Sequence, residues 1–256
     1  MSETVAISAW GMGSFYLLLL IPLALFSRWQ LGLSRSIVTA VLRMTLQLAV
    51  VGIYLQTLFD FQSPVLNLVW LGVMATVAGA SICKRAGLPL KQVLPTVLTG
   101  QIVSLGVVLP MVLMVAIQLE PWWQAQYLIP VAGMLLGNSL AANVLALERW
   151  HSSLKSRMNE YQYYLALGAP HPAQPFVKEA LKTALMPQLA SMTTLGIVSL
   201  PGMMTGQILG GTAPLLAVKY QLVIMVAIFL AAVFSVATTL TLVNRFAFNA
   251  YGQLRL

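Results

Sequence analysis

Long apolar runs separated by short polar segments make up almost the whole sequence. A helix needs about 20 mainly apolar residues to cross a bilayer, and seven stretches meet that need. They lie near Val5–Phe26, Ile37–Phe59, Val65–Cys83, Val93–Leu119, Tyr127–Leu147, Thr183–Gly211 and Tyr220–Asn244. The pattern therefore predicts an all-α, polytopic integral membrane protein, in which residues 1–256 form a single transmembrane domain of about seven helices.

Composition supports a membrane location. Hydrophobic residues make up 59% of the chain and charged residues 8%, with a mean hydropathy of +0.86. A soluble domain usually carries about 25% charged residues, so we expect this chain to be surrounded by a lipid bilayer. The net charge of +8 does not indicate a nucleic-acid partner, because the basic residues lie between apolar runs and form no basic surface interleaved with aromatics. Cys83 is the single cysteine, which excludes an intrachain disulfide.

The distribution of basic residues predicts the orientation. The predicted loops of one side hold twelve of the fourteen: Arg28, Arg35, Lys84, Arg85, Lys91, Arg149, Lys155, Arg157, Lys178, Lys182, Arg245 and Arg255. Of the other two, Lys219 is on the opposite side and Arg43 is inside the second span. Cytoplasmic loops carry the excess of Lys and Arg, so the N-terminus is expected outside and the C-terminus in the cytoplasm. No basic segment precedes the first run, so Thr4–Ser27 is expected to be a retained helix rather than a cleaved signal peptide.

Several enzyme classes lack support in the sequence. There is no GxxxxGK[ST] phosphate loop, so the chain is not expected to hydrolyse ATP by itself, and neither HExxH nor GxSxG occurs. No Asp or Glu lies inside a predicted span, which argues against a carrier driven by protons or sodium. We therefore expect a protein that is not itself an enzyme.

The one long polar stretch, residues 148–182, is predicted to be a cytoplasmic helix, a turn and a second helix. Apolar residues recur at steps of three and four along one face of the first helix, at Leu147, Trp150, Leu154, Met158, Tyr161 and Leu165. Gly168 can cap this helix, and Pro170 and Pro172 prevent its continuation. The second helix is expected to start near Pro172 and to lead into the sixth span.

The turn resembles the coupling motif of ABC-transporter permeases, the EAA loop, in which a short cytoplasmic helix docks into a groove on the ATPase subunit. The stretch from Leu165 to Ala169 is followed by Phe176 and then by Ala184-Leu185-Met186-Pro187. The candidate ATPase-coupling residues are Tyr164, Leu165, Leu167, Gly168, Ala169, Pro170 and Phe176, with Tyr161 and Tyr163 as further aromatic anchors. The alternative is an ordinary interfacial helix hairpin.

Pro201-Gly202 interrupts the sixth predicted span. Backbone carbonyls freed at membrane depth need protein or water partners, and transporters place binding sites at such breaks. We favour a functional hinge, with a simple proline kink as the alternative. The candidates for the hinge and translocation path are Pro201, Gly202, Met203, Met204, Thr205, Gly206, Asn138 and Met134.

Other membrane-depth residues also allow a structural interpretation. Asn138 either lines a path or makes hydrogen bonds between helices, and Asn143, nearer the inner surface, is expected to be structural. The 13 methionines are better explained as flexible filler than as a soft-metal path. Arg43 is expected to snorkel to the interface, with an anion contact or an ATPase-linked role as the alternative.

Longer runs resemble the FetB / UPF0014 family. They are Gly196–Gly206 (GIVSLPGMMTG), Pro214, Ala217–Gln221 (AVKYQ), Pro130–Met134 (PVAGM) with Gly137-Asn138, Leu167–Ala169, and Arg43–Leu48 (RMTLQL). The resemblance implies the permease half of an ABC transporter in the cell (inner or plasma) membrane, assembled as two permeases with two separate ATPase subunits. ATP and Mg would bind to the ATPase, and this chain would hold no cofactor.

The family resemblance leaves the cargo open. Bacterial members resemble iron exporters, whereas plant relatives are linked to aluminium tolerance, so the resemblance implies export of iron or another metal ion. Metal ligands stay unassigned, because the predicted spans offer neither carboxylate nor histidine. The alternatives are an ABC permease for a non-metal small molecule and a carrier or channel that needs no partner.

Overall fold

The computed structural model describes residues 7–249 and 252–254. Its described elements are helices, without a β-strand, so the all-α prediction is confirmed. The helices are α1 (Ala9–Leu17), α2 (Leu20–Arg28), α3 (Ser34–Phe61), α4 (Pro64–Arg85), α5 (Leu90–Pro110), α6 (Ala125–Ser156), α7 (Met158–Ala166), α8 (Gln174–Thr194), α9 (Gly202–Leu209) and α10 (Pro214–Phe246). A π-helical turn, Met111–Ala116, continues α5.

Six helical stretches of the described chain are long and apolar enough to cross a membrane. They are Ala9–Arg28 (α1 with α2), Ser34–Phe61, Pro64–Arg85, Leu90–Ala116, Ala125–Ser156 and Pro214–Phe246. These stretches match six of the predicted spans, although Val5, where the first was expected to begin, lies outside the described residues, as does Arg255. The other prediction, Thr183–Gly211, is not one continuous helix but the end of α8, a non-helical segment and α9. The count of seven spans stays a prediction.

The chain divides into two compact units, Met1–Phe61 with Leu209–Gly211, and Gln62–Ile208 with Thr212–Leu256. In the first unit, Ser8 caps α1 because its Oγ accepts a hydrogen bond from the amide of Gly11 at 3.0 Å. The hydroxyls of Tyr16 and Thr45 lie 3.0 Å apart and connect α1 to α3.

The second unit is built around α10, which packs against α5, α6 and α8, while α6 also packs against α4 and α8. Two buried apolar clusters form its core, one around Trp150 and Phe176 and the other around Leu113 and Leu128. Burial of such side chains stabilises each by roughly 1.5–3 kcal/mol relative to water. In a bilayer, however, close packing and hydrogen bonds between helices take over much of that role.

Polar side chains join the core helices at membrane depth. The Ser104 hydroxyl on α5 donates to the carbonyl oxygen of Ala231 on α10 at 2.9 Å. The Asn143 side-chain amide on α6 donates to Ser235 Oγ on α10 at 2.8 Å, and both residues are buried. Asn143 is thus a structural contact between helices, in agreement with its sequence-based interpretation.

The helix ends follow the local sequence. Pro64 and Pro214 occupy the first turns of α4 and α10, where a missing N–H is harmless because no intrahelical acceptor exists. The end of α4 needs a left-handed residue, which Gly87 supplies with a φ of 67°. The amide of Leu88 then donates to the carbonyl oxygen of Cys83 at 3.1 Å, the Schellman arrangement.

Candidate functional site: the α7–α8 hairpin and the α6–α8–α10 cavity

The polar stretch folds as a hairpin of α7 and α8 at the end of α6. The first predicted helix is in fact two: α6 continues to Ser156, Arg157 leaves the helical conformation, and α7 starts at Met158. Its predicted apolar face is largely confirmed, because Trp150, Leu154 and Tyr161 are buried. The second helix, α8, begins at Gln174, close to the predicted start near Pro172.

Gly168 ends α7 as the sequence predicts. Its φ of 72° is left-handed. The amide of Ala169 donates to the carbonyl oxygen of Tyr164 and the amide of Gly168 to that of Leu165, both at 3.0 Å. These two bonds complete a Schellman motif, so the chain reverses over a few residues with its carbonyls satisfied. A short, rigid turn is therefore presented at the tip of the hairpin.

The tip exposes a small apolar surface. Leu167 is 66% exposed and Tyr163 62%, and Leu165 and Pro170 are exposed as well. The Tyr164 hydroxyl donates to Glu160 Oε1 at 3.1 Å, a bond that raises the pKa of this phenol. Exposed apolar side chains that lie together mark an interaction surface, and tyrosine is one of the residue types enriched at interfaces.

Two predicted anchors do not belong to that surface. Phe176 is completely buried and Tyr161 nearly so, at 3% exposure. The Tyr161 ring meets Phe176 edge-on, with centroids 6.5 Å apart. It also stacks on Phe248 at 5.0 Å, while its hydroxyl donates to the carbonyl oxygen of Gly252 at 2.9 Å. The prediction that Phe176 and Tyr161 contact a partner directly is therefore wrong: they form the base on which the tip rests.

An ion-pair network connects α6, the α6–α7 junction and α8. The Glu179 carboxylate on α8 accepts hydrogen bonds from Arg149 on α6 and from Arg157 at the junction. The Arg157 guanidinium also lies 4.8 Å from the centroid of the Phe176 ring, within cation–π range. Partial burial alone would raise the pKa of Glu179, but hydrogen bonding and charge from the two arginines outweigh it, and the pKa is lowered. The three segments are thus linked by charge as well as by packing.

The interruption of the sixth predicted span lies earlier than Pro201-Gly202. Helix α8 ends at Thr194 and the chain is non-helical until Gly202, which is already the first residue of α9. Leu195 leaves the helical conformation for an extended one, and Gly196, with a left-handed φ of 84°, then turns the chain so that its amide donates to the carbonyl oxygen of Ser199 at 3.0 Å. Pro201 instead starts α9, because its carbonyl oxygen accepts hydrogen bonds from both the amide and the hydroxyl of Thr205. The predicted break is real, but Pro201 and Gly202 are its end rather than its centre.

The predicted path residues do not all line one pocket. Met203 and Met134 pack at the edge of the same apolar cluster, while Met204, Thr205 and Gly206 are not among the residues that line the cavity between α6, α8 and α10. Asn138, by contrast, lines a cavity of about 220 Å³ between α6, α8 and α10. Its amide nitrogen donates to the carbonyl oxygen of Met134 at 2.8 Å, leaving its Oδ1 free.

Gln188 is a polar residue of this cavity that sequence reasoning missed. It lies on α8 and its Oε1 is buried without a hydrogen-bond partner. Ser191, one turn further, also lines the cavity and donates its hydroxyl proton to the carbonyl oxygen of Pro187 at 2.9 Å. The available signal was a glutamine and a serine three residues apart inside the sixth predicted span.

Arg43 lies on an exposed side of α3 in the first unit. No described carboxylate lies within ion-pair distance of its guanidinium. Within residues 7–249 and 252–254, no group of three or more His, Cys, Asp or Glu side chains forms a metal cluster. A tightly bound metal of the usual protein kind therefore has no candidate ligand set in the described part of the chain.

The fold and these features define a multi-pass α-helical membrane protein, with a polar hairpin at one end of its helices. The sequence narrows this class. A family model described as "Uncharacterised protein family (UPF0014)" matches residues 9–248, and the chain belongs to this family.

Its relatives come from bacteria and plants. A UPF0014 membrane protein of Synechocystis sp. is 36% identical over 231 residues, covering 89% of each chain. Protein ALUMINUM SENSITIVE 3 of Arabidopsis thaliana is 35% identical over 199 residues, 76% of this chain and 71% of the relative. The probable iron export permease protein FetB of Escherichia coli is 29% identical over 243 residues, 93% of this chain and 91% of FetB. No solved structure matches the chain.

Proposed function

We propose that this chain is the membrane permease subunit of an ABC transporter that exports iron or another metal ion. The observation that carries the proposal is the tip of the hairpin, where Gly168 fixes a tight turn and Leu167 and Tyr163 are exposed. Docking into a groove of an ATPase requires a protruding, exposed surface that is held in place by a rigid support. ATP and Mg bind to that separate ATPase, and this chain is a non-enzymatic subunit without a cofactor of its own.

The names of two relatives support a metal cargo. One is called a probable iron export permease and the other is named for aluminium sensitivity. We assign iron first, because the FetB relative matches 93% of this chain. A non-metal small molecule is the alternative cargo.

The proposed topology has seven spans, with the N-terminus outside and the C-terminus in the cytoplasm of an inner or plasma membrane. Six spans correspond to the long apolar helices. The α8–α9 segment, with its break at residues 195–201, would be the seventh. The twelve basic residues of the loops on one side support this orientation.

The internal contacts of the hairpin suggest how a push at its tip reaches the membrane. Tyr161 and Phe176 transmit force from α7 to α8 through close packing. Arg157 and Arg149 connect the same movement to α6 through Glu179. Since α8 ends at the non-helical segment 195–201, that segment would act as the hinge. Two permeases and two ATPases would make up the working transporter.

The substitution Gly168→Val tests the docking role of the hairpin tip. Left-handed backbone costs a non-glycine residue roughly 1–2 kcal/mol, and a β-branched side chain is the worst case. Gly87→Val is the matched control, because Gly87 has a similar φ (67° against 72°) and an added Cβ meets no atom within 4 Å at either position. Both variants should accumulate in the membrane, but Gly168→Val should lose most ATP-driven metal transport while Gly87→Val retains it.

The measurement is ATP-dependent iron transport in proteoliposomes that contain the chain and its co-purifying ATPase. Equal transport by the two variants would refute the docking role. Transport by the purified chain without ATP or partner would instead support the rival class, a carrier or channel acting alone.

A further inference from the structure

A groove of about 340 Å³ between α4 and α5 is lined almost entirely by hydrocarbon. The described residues that line it are leucine, isoleucine, alanine, proline and glycine, with Trp122 as the one exception. None of them is charged, and the indole N–H of Trp122 is the single polar side-chain group among them. Because both helices are long and apolar enough to cross a membrane, the groove opens to the hydrocarbon core of the bilayer.

Two glycines form the floor of the groove, Gly72 on α4 and Gly106 on α5. A Cβ added at either position would meet no atom within 4 Å. Further along α4, a Cβ added at Gly79 would lie 3.0 Å from the Leu94 side chain and 3.2 Å from that of Leu98, both on α5. The two helices therefore touch at Gly79, whereas no described side chain covers the two glycines of the floor.

Trp122 stands at one end of the groove. It lies between the π-helical turn and α6, and it packs at the edge of the apolar cluster around Leu113 and Leu128. The fully buried Asn67 side chain of α4 donates to the carbonyl oxygen of Trp123 at 2.9 Å, which ties this segment to the start of α4. Tryptophan is enriched where the hydrocarbon core meets the headgroups, so this end of the groove is the one that reaches the membrane surface.

The dimensions of the groove fit one hydrocarbon chain and exclude a helix. Its lining runs from Leu68 to Ala75 on α4 and from Ile102 to Leu113 on α5, which corresponds to about 10 Å and about 16 Å of helix. One leaflet of a hydrocarbon core about 30 Å thick has a similar depth. Over these lengths, a chain about 4–5 Å across fills roughly 130–310 Å³, less than the 340 Å³ of the groove. A helix about 10 Å across would need roughly 800–1,250 Å³.

We propose that this groove binds one acyl chain of a membrane phospholipid, whose headgroup lies at the Trp122 end and whose second chain remains in the bilayer. The side chains of Leu68 and Ile102 are exposed and form the two rims. Between them the chain gains close contacts with both helices and with the glycine floor, and such dispersion contacts hold apolar groups together inside a membrane. The site stands on the shape and chemistry of the groove and is independent of the proposed function.

The test reconstitutes the full chain in phosphatidylcholine vesicles, extracts it in a mild detergent and counts the phospholipids that stay bound by native mass spectrometry. We expect the wild type to retain one phospholipid. Gly72→Leu and Gly106→Leu should each retain about tenfold less, because a leucine side chain takes the place of about four chain carbons. Gly52→Leu is the matched control and should retain lipid like the wild type, because Gly52 also lies inside a long apolar helix, α3, and its added Cβ meets no atom within 4 Å. Protection of the buried Cys83 from a thiol reagent shows that each variant is folded.

The fluorescence of Trp122 locates the retained lipid. The emission of this residue is obtained as the difference between a protein and its Trp122→Phe counterpart. Phosphatidylcholine brominated near the carbonyl end of one chain should quench this emission in the wild type and in Gly52→Leu, and much less in Gly106→Leu.

Three results would overturn the proposal. The first is a wild-type chain that retains no phospholipid, and the second is retention or quenching in Gly106→Leu equal to that in Gly52→Leu. The third is a wild-type dimer without bound lipid that Gly106→Leu dissociates, because the groove would then hold a helix of a second copy.

Discussion

Gly100 marks the closest approach of α5 and α10, and replacing it by alanine tests how tightly these helices pack. An added Cβ would lie 2.7 Å from the carbonyl oxygen of Ser235 and nearer still to Thr239 Oγ1. Ordinary contact begins at 3.4 Å, so the backbone of α10 would have to retreat by roughly 0.7 Å. Because a backbone carbonyl cannot rotate out of the way, the helices must separate, and such overpacking costs about 1–3 kcal/mol.

Gly106→Ala on the same helix is the matched control, because its Cβ would meet no atom within 4 Å. Both variants gain the same helix propensity, about 0.5–1 kcal/mol, so they should differ by the overpacking alone. A difference of about 2 kcal/mol corresponds to about 4–8 °C in the unfolding midpoint of a chain of this size. Cys83 is buried and the single cysteine, so its labelling by a thiol-reactive fluorophore on heating in detergent reports unfolding. Midpoints that agree to about 1 °C would refute the close packing described for Gly100.

Three further predictions concern contacts of the second unit. Ser235→Ala should lower the unfolding midpoint by the loss of about 1 kcal/mol, because it removes the oxygen that accepts from Asn143; a midpoint equal to that of the wild type would contradict this contact. At pH values above the ordinary carboxyl pKa of 4.5, the charged form of Glu179 stabilises the hairpin. This contribution should vanish as the pH falls through the lowered pKa of Glu179 in the folded state. Glu179→Gln should therefore be less stable than the wild type at pH 7, and its thermal midpoint should change less between pH 7 and about 3. Midpoints of the variant and the wild type that change in parallel with pH would disprove the network. Tyr161→Phe removes the hydrogen bond to Gly252 and should speed limited proteolysis of residues 248–254, whereas Tyr163→Phe, whose ring is exposed, should not; equal cleavage rates would count against the contact.

The sequence predicts well what depends on neighbouring residues along the chain. Apolar length alone locates six long helices, because a span must satisfy its own backbone hydrogen bonds. Gly168 is predictable for the same reason: a glycine after an amphipathic run, followed by Pro170, is a helix end whatever surrounds it. Gly196 is an equally local turn signal just after the end of α8, whereas Pro201 precedes the start of α9, because proline more readily starts a helix than interrupts its middle.

What the sequence could not predict depends on partners distant in the chain. Aromatic residues in a polar loop indicate anchors but not the face they occupy, and Phe176 and Tyr161 are buried only because α6, α8 and Phe248 surround them. Gln188 has the same difficulty. Nothing near it in sequence reveals that Asn138 of α6 lines the same cavity, which exists only once three helices have packed.

The stacking of Phe248 on Tyr161 has a consequence for biosynthesis. Tyr161 and its hydrogen-bond acceptor Gly252 are separated by 91 positions. At translation rates of about 5–20 residues per second, α7 emerges from the ribosome roughly 5–20 seconds before the segment that holds it. During that interval the base of the hairpin is incomplete, and a nascent chain cut short before Phe248 would never finish it. Docking of the proposed ATPase at the hairpin tip would therefore have to wait until translation is nearly over, because the base beneath the tip is complete only then.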